Sequence, residues 1–297
     1  MKPAPFDYVA PASLPEALEH LARHGDDAKI LAGGQSLLPM LNLRLARPAV
    51  IVDINGIAGL DALHDANGVL HVGALVRQRQ LERWAQDRLP LMAAALRLVG
   101  HTAIRTRGTV AGSVSHADPA SELPALFVCL DATATAVSPR GTRTIAAPEF
   151  FLGPLTTALA TDEIVTETRW TMPEAGAGWG FHEIARRHGD FALVGVATVV
   201  TLGSGRVASA RIALFGAGPT PVRARVAERS LIGAAPTPAA LADAARVAAE
   251  SLDPQSDLHA PASYRRRVGA TLTERALADA VARAKDQSSA SRTKSSA

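Results

Sequence analysis

Cysteine is almost missing from this chain of 297 residues: Cys129 is the only one. One thiol excludes an internal disulfide framework, and it excludes an iron–sulfur cluster or thiolate zinc site built by this chain alone. Cys129 lies in the apolar run Leu123-Pro124-Ala125-Leu126-Phe127-Val128-Cys129-Leu130, where a buried structural thiol is expected. Aromatic residues are scarce at 4%, and neither sign of charge dominates, with 31 Lys+Arg against 28 Asp+Glu. A nucleic-acid surface calls for clustered cations interleaved with stacking rings, so that function is not indicated. No run approaches the roughly 18 apolar residues of a membrane helix. The start, Met1-Lys2-Pro3-Ala4-Pro5-Phe6, lacks the apolar core of a secretion signal. The expectation is a soluble, cytoplasmic protein with no membrane insertion.

What is abundant is hydrophobic residues, 47% of the chain, enough to fill at least one substantial core. The length suits one large domain or two of ordinary size. Ser13-Leu14-Pro15-Glu16 is a capping box, and Leu14, Leu18 and Leu21 follow at helical spacing up to His24-Gly25. Ala28-Lys29-Ile30-Leu31 is a short strand running into Gly33-Gly34. Ser36 opens an apolar helix through about Leu45, ended by Pro48, and Val50 to Ile54 is a second strand. Further on, Val69–Gly73 is a strand, and Gln78–Trp84 and Leu91–Val99 are helices. A third helix is predicted from about Pro119 to Leu130, with Asp118 as its N-cap. Strands are expected at 132–137, 142–145 and 164–170, with a hairpin turn at Ser138-Pro139-Arg140-Gly141. A Pro/Gly cluster, Met172 to Gly178, marks a domain boundary. Beyond it lie a β pair, Gly195–Leu202 and Arg206–Phe215, and helices near 221–230, 238–250 and 261–285. The Ser/Lys/Arg/Ala-rich residues 287–297 are expected to be a disordered tail.

Three segments carry chemistry. Gly33-Gly34 lies between a strand and a helix, so the backbone can turn tightly and approach a ligand with no Cβ in the way. The free N–H groups at the helix start favour an anion, and Ser36 adds a hydroxyl. Without a G-x-G-x-x-G pattern, a Rossmann dinucleotide site is not indicated. The second segment, Arg105-Thr106-Arg107-Gly108-Thr109-Val110-Ala111-Gly112-Ser113, again offers small residues, hydroxyls and two arginines before a helix. Two anion-friendly turns suit a pyrophosphate, although the first alone is equally a plain strand-to-helix turn and the second alone reads better as a Gly/Ser loop with solvated arginines. His116, Asp118 and Glu122 follow. They could form a metal site or an acid–base pair, whereas the plainer reading makes Asp118 a cap and leaves Glu122 in the first helical turn, able to accept from sugar hydroxyls. The third segment, Gly180 to Gly195, contains Arg186-Arg187-His188-Gly189-Asp190-Phe191, which alone reads as a charged strand and turn.

In this order the segments resemble one family, the FAD-binding medium subunits of molybdenum hydroxylases. The resemblance spans roughly residues 1–286. Its further pieces are Phe6-Asp7-Tyr8, Leu31 to Pro39, Arg44-Leu45-Ala46-Arg47-Pro48, Val72-Gly73-Ala74 and Ala117 to Ala125. It implies an α+β protein: a two-subdomain FAD-binding fold of the vanillyl-alcohol-oxidase (PCMH) type over 1–175, with subdomains of about 1–56 and 57–175. A C-terminal α+β domain over 179–286 would follow. FAD would be held at its pyrophosphate by Ala32, Gly33, Gly34, Gln35, Ser36 and Leu37, and by Thr109, Val110, Ala111, Gly112 and Ser113. Glu122 falls at a carboxylate near the ribose and Val165 against the adenosine side. His182 or Glu183 falls where some relatives carry a lysine, and Phe191 at the isoalloxazine. Ala111 stands where many relatives have glycine. No residue of this chain is expected to be catalytic in the acid–base sense, and no metal ligand is expected. Implied partners are a large molybdopterin subunit and a small [2Fe–2S] subunit, in a dimer of heterotrimers. Electrons would pass from the clusters to FAD and on to an external acceptor. The alternative is a self-sufficient flavin oxidase or reductase of the same fold. Its covalent relatives tether FAD through His or Cys near the first loop, and Gly33 to Pro39 contains neither.

Overall fold

The computed structural model describes residues 2–295, with side chains to Gln287. The first unit contains strand β1 (Asp7–Val9), helix α1 (Leu14–His24), strand β2 (Ala28–Leu31), helix α2 (Leu37–Asn42) and strand β3 (Val50–Asp53). The strands form a parallel sheet in the order β1-β3-β2, so the C-terminal ends of β2 and β3 open side by side. Ser13 caps α1, its hydroxyl accepting from the Glu16 amide at 3.4 Å. Glu16 reaches back to the Ala12 amide at 2.9 Å, one residue beyond the reciprocal partner of a capping box. Helix α2 stops at Asn42, short of the expected Leu45. Arg44 takes a left-handed conformation with φ 57°, and the amides of Leu45 and Ala46 both return to the Met40 carbonyl. The helix therefore closes on itself well before Pro48.

The second unit begins with β4 (Leu63–Ala66) and β5 (Val69–Gly73). Helices α3 (Gln78–Arg88), α4 (Pro90–Leu98), α5 (Thr102–Arg105), α6 (Val110–His116) and α7 (Glu122–Cys129) follow. The chain then returns to β6 (Thr133–Ser138), β7 (Gly141–Ala146), α8 (Ala147–Phe150), β8 (Phe151–Gly153), β9 (Thr156–Thr157) and β10 (Ile164–Thr171). Strand β10 sits mid-sheet in the antiparallel order β4-β5-β10-β6-β7. Helix α7 starts at Glu122 rather than Pro119: Asp118 instead accepts from the Ala120 amide at 2.9 Å in an Asx turn, and Ser121 takes the N-cap place. Every residue of α7 is buried, which its near-continuous apolar sequence allows. Beneath it, Phe127 packs on Phe150, Phe151 and Trp170 with ring centroids 5.3–5.8 Å apart, so four of the chain's few aromatics form one cluster. Cys129 is fully buried, and burial pushes its thiol up to about 12.

The third unit is an antiparallel sheet of β11 (Gly178–Ala185), β12 (Ala192–Gly203), β13 (Arg206–Phe215) and β14 (Val222–Arg223). It is backed by α9 (Arg225–Leu231), α10 (Pro238–Glu250) and α11 (Ala262–Ser295). The Met172–Gly178 cluster lies between β10 and β11 and includes the first residue of β11. Helix α11 continues to Ser295 where the composition predicted a disordered tail at 287–297; extending a helix that is already nucleated costs less than starting one. Residues 296 and 297 lie outside those described. A side chain at Gly178 or Gly180 would run into the carbonyls of Ala280 or Ala276. The two glycines thus let the helix backbone rest on the strand, and Thr198 donates to the Ala276 carbonyl at 3.0 Å across the same contact. Gly180→Val is expected to lower stability by about 3 kcal/mol through backbone overpacking, measured as a drop in the urea midpoint. An unchanged midpoint would mean that the helix can move off the strand freely.

Candidate functional site

A cavity of about 560 Å³ runs where the three units meet. Its wall contains the first turn, Ala32 to Leu37, and the second, Thr109 with Ala111, Gly112 and Ser113. Glu122, Val165 and Phe191 also line it. Of the residues expected at the site, two stand elsewhere. Val110 is fully buried in the core beneath the second turn, and His182 points to α11, with its Nε2 3.1 Å from Asp279.

The two turns meet backbone to backbone. A Cβ at Gly33 would lie 2.6 Å from the Arg107 carbonyl oxygen, 2.7 Å from the Gly108 Cα and 2.8 Å from the Thr109 nitrogen. Only glycine permits that approach. Gly34 follows with φ 72°, a left-handed turn that sends the chain into α2. The second turn is held by its own ladder: Val110 N–H donates to Val76 at 3.1 Å and Gln78 N–H to Gly108 at 2.9 Å. Thr109 caps α6, its hydroxyl accepting from the Gly112 amide at 3.1 Å.

Among the described residues, the amides of Gly33, Gly34, Gln35, Ser36 and Ala111 donate to no acceptor in the chain. Half-buried N–H groups in such a row need an outside acceptor, and successive amides of this kind form an anion-binding concavity. The wall also carries Ile54, Val99, Ile104, Leu159 and Ile164, apolar side chains on which a ring system can pack. A diphosphate joined to two flat groups therefore suits the wall. The arginines of the second segment play no part in it: Arg105 is turned into the core, donating to Glu82 at 2.9 Å and to the carbonyls of Val99 and Gly100, and Arg107 is exposed and outside the wall. His116 lines the cavity and is pushed down by burial, but no group of three His, Cys, Asp or Glu able to hold a metal exists among the described residues.

Glu122 opens α7, where helix amides favour a carboxylate. Burial outweighs them: it pushes Glu122 up to about 8, and the neighbouring Glu183 adds to the rise. Burial also raises Glu183 to about 7, and its Oε2 is enclosed with no hydrogen-bond partner. Glu183, rather than His182, is therefore the β11 side chain turned toward Glu122. Near the mouth, Gly189 has φ 87° and lies against the His101 ring, which bridges the loop before Phe191 to the second unit.

Asn55 and Arg77, outside the three segments, also hold the turns. Asn55 donates to the Ala32 carbonyl at 2.8 Å and accepts from Arg77 at 2.7 Å, and Arg77 donates to the Arg107 carbonyl at 2.8 Å. The available signal was the Asp53-Ile54-Asn55 triplet leaving a strand end, a place where Asx side chains often hold turns.

The chain matches the family model described as the FAD binding domain in molybdopterin dehydrogenase over residues 4–170. Residues 179–280 match the CO dehydrogenase flavoprotein C-terminal domain. It is 43% identical to the caffeine dehydrogenase subunit beta of Pseudomonas sp. (strain CBB1), over 95% of this chain and 97% of that protein. It is 41% identical to the 6-hydroxypseudooxynicotine dehydrogenase complex subunit alpha of Paenarthrobacter nicotinovorans, over 96% and 97%. A solved carbon monoxide dehydrogenase chain from Hydrogenophaga pseudoflava superposes with a TM-score of 0.93 at 39% identity, covering 95% of this chain and 99% of that one.

The raised Glu122 carries a pH prediction for the cofactor-free chain. Its folded value lies above the unfolded 4.5, so the folded state holds a proton that the unfolded state releases. Stability should therefore fall as pH rises from 4.5 toward 8, and Glu122→Gln should flatten that decline. Urea unfolding across this range checks it; parallel curves for the two proteins would mean that folded Glu122 is already ionised.

Proposed function

This chain belongs to the FAD-binding subunits of molybdopterin-dependent oxidoreductases, and from that premise we propose that it is the electron-transferring medium subunit of a heteromeric molybdenum hydroxylase. The observation that carries the reading is the row of unpartnered amides from Gly33 to Ser36, joined at Gly33 to the second turn on one cavity wall. Those amides, with that of Ala111 and the hydroxyls of Ser36 and Ser113, would hold the two phosphates of FAD. Glu122, protonated at neutral pH, would donate to a cofactor oxygen, while Val165 would pack against the adenosine side. Phe191, 63% exposed at the mouth, would cover the isoalloxazine.

When bound, FAD supplies redox chemistry that joins one-electron and two-electron donors and acceptors. The chain's own task is then to orient the ring, keep its buried face dry and leave one edge reachable. Electrons would arrive from a small [2Fe–2S] subunit served by a large molybdopterin subunit, and leave to an external acceptor. The large subunit would recognise the substrate. A dimer of heterotrimers and a cytoplasmic location belong to the same reading. Relatives named as a subunit beta and as a complex subunit support a multi-chain assembly, and no helix among the described residues is long and apolar enough to cross a membrane.

Native purification is expected to co-isolate two further polypeptides with molybdenum and iron; a lone chain with full dehydrogenase activity would defeat the heteromer. Gly33→Asp should strip the flavin, since it adds bulk against the second turn and a negative charge beside the phosphates. Full retention of flavin absorbance would remove the two turns from the site. Phe191→Ala should change the rate of flavin reoxidation and leave the molybdenum-side half-reaction intact, both read by stopped-flow absorbance. Equal losses in the two would place Phe191 away from the ring.

A further inference from the structure

Resting on the reading of the two turns as the FAD site, we infer that Asn55 and Arg77 are positioning residues for the cofactor, although neither side chain lines the cavity. They form a continuous strap between the turns. Asn55 Nδ2 donates to the Ala32 carbonyl at 2.8 Å, its Oδ1 accepts from Arg77 Nη2 at 2.7 Å, and Arg77 Nη1 donates to the Arg107 carbonyl at 2.8 Å. Asn55 is itself anchored, because its amide and Nδ2 donate to Asp53 at 2.9 and 2.6 Å, and Tyr8 donates to the other oxygen of Asp53 at 2.6 Å. Burial opposes ionisation of Asp53, yet the bonds from Tyr8 and Asn55 outweigh it and keep the carboxyl below its ordinary value.

The two carbonyls held by the strap are well chosen. A trans peptide is planar, so its C=O and the following N–H point in opposite directions. With the Ala32 carbonyl drawn toward Asn55, the Gly33 N–H is turned the other way, and it is the first of the unpartnered amides on the cavity wall. At the far end, the Arg107 carbonyl is the atom that a Cβ on Gly33 would approach most closely. Arg77 thus fixes the surface on which Gly33 rests, and Asn55 fixes the peptide plane that leads into it. The main-chain bridge between Arg77 and Thr109 gives the guanidinium a rigid base. The strap sets the direction of one amide row and its distance from the other before any ligand arrives, which reduces the ordering that binding would otherwise require.

The experiment uses the full-length chain, stripped of flavin and reconstituted with FAD, with affinity read from quenching of FAD fluorescence and with thermal midpoints measured on the cofactor-free proteins. Asn55→Ala and Arg77→Met should each weaken FAD binding about tenfold or more, with a midpoint close to that of the parent. The double variant should bind little worse than either single, because one strap is broken only once. Arg77→Lys keeps the charge but cannot span Asn55 and Arg107 in fixed geometry, so it should bind like Arg77→Met. Recovery of parental affinity by Arg77→Lys would overturn the proposal in favour of simple charge attraction, and parental affinity in both single variants would overturn it outright. If Arg77→Met does not fold, the exposed Asn55→Ala decides alone. A parent chain that fails to bind FAD would instead sink the site assignment, an outcome distinct from failure of the strap.

Discussion

The contact on which the site depends is the seat of Gly33 on the backbone of residues 107–109, at distances that exclude any side chain. It brings together two turns more than seventy positions apart in the chain. It also leaves the amides of Gly33 to Ser36 and of Ala111 on one wall with no acceptor among the described residues. Two short loops that would each be unremarkable anion sites become one extended site because a missing Cβ lets them touch. Packing, rather than any strong donor such as arginine, sets the amides on one wall. The arginines nearby are used to hold the architecture, Arg105 against Glu82 and Arg77 across the strap.

The third unit completes the site from the other side. Its helix α11 lies directly on β11 at Gly178 and Gly180, and the next residues of that strand bring Glu183 close to Glu122. The loop beyond β11 then passes His101 and presents Phe191 at the cavity mouth. The chain therefore places two buried carboxyls, Glu122 and Glu183, on one side and an exposed aromatic, Phe191, on the other. That asymmetry suits a cofactor that must be gripped at one end and reached at the other.

Much of this was legible in the residues. The Ser13 cap, the strand into Gly33-Gly34, the apolar run of α7 and the β pair of the third unit all follow from local pattern, and each depends on interactions within a few positions. Several boundaries differ from the local pattern, and two of them show the physical reason plainly. Asp118 was expected to cap a helix, but it satisfies the Ala120 amide in a tight turn and leaves Ser121 to open α7. The apolar run predicts helix α2 through Leu45, whereas the left-handed Arg44 closes it at Asn42. His182 and Glu183 could not be separated by sequence alone. Alternation along β11 sends them to opposite faces, and only the packed sheet decides which of them faces Glu122.

The sequence by itself determined the glycines, the hydroxyls, the scarcity of cysteine and the order of the motifs, because these act through local backbone freedom and side-chain chemistry. Tertiary structure alone decided that Val110 would be core while its neighbours line the cavity, that Arg105 would be buried, and that burial would push Glu122 above its ordinary value. It also decided that Asn55 and Arg77 would join the two turns. Those outcomes depend on which surfaces meet and how much water is left between them, and no local pattern in the chain encodes that.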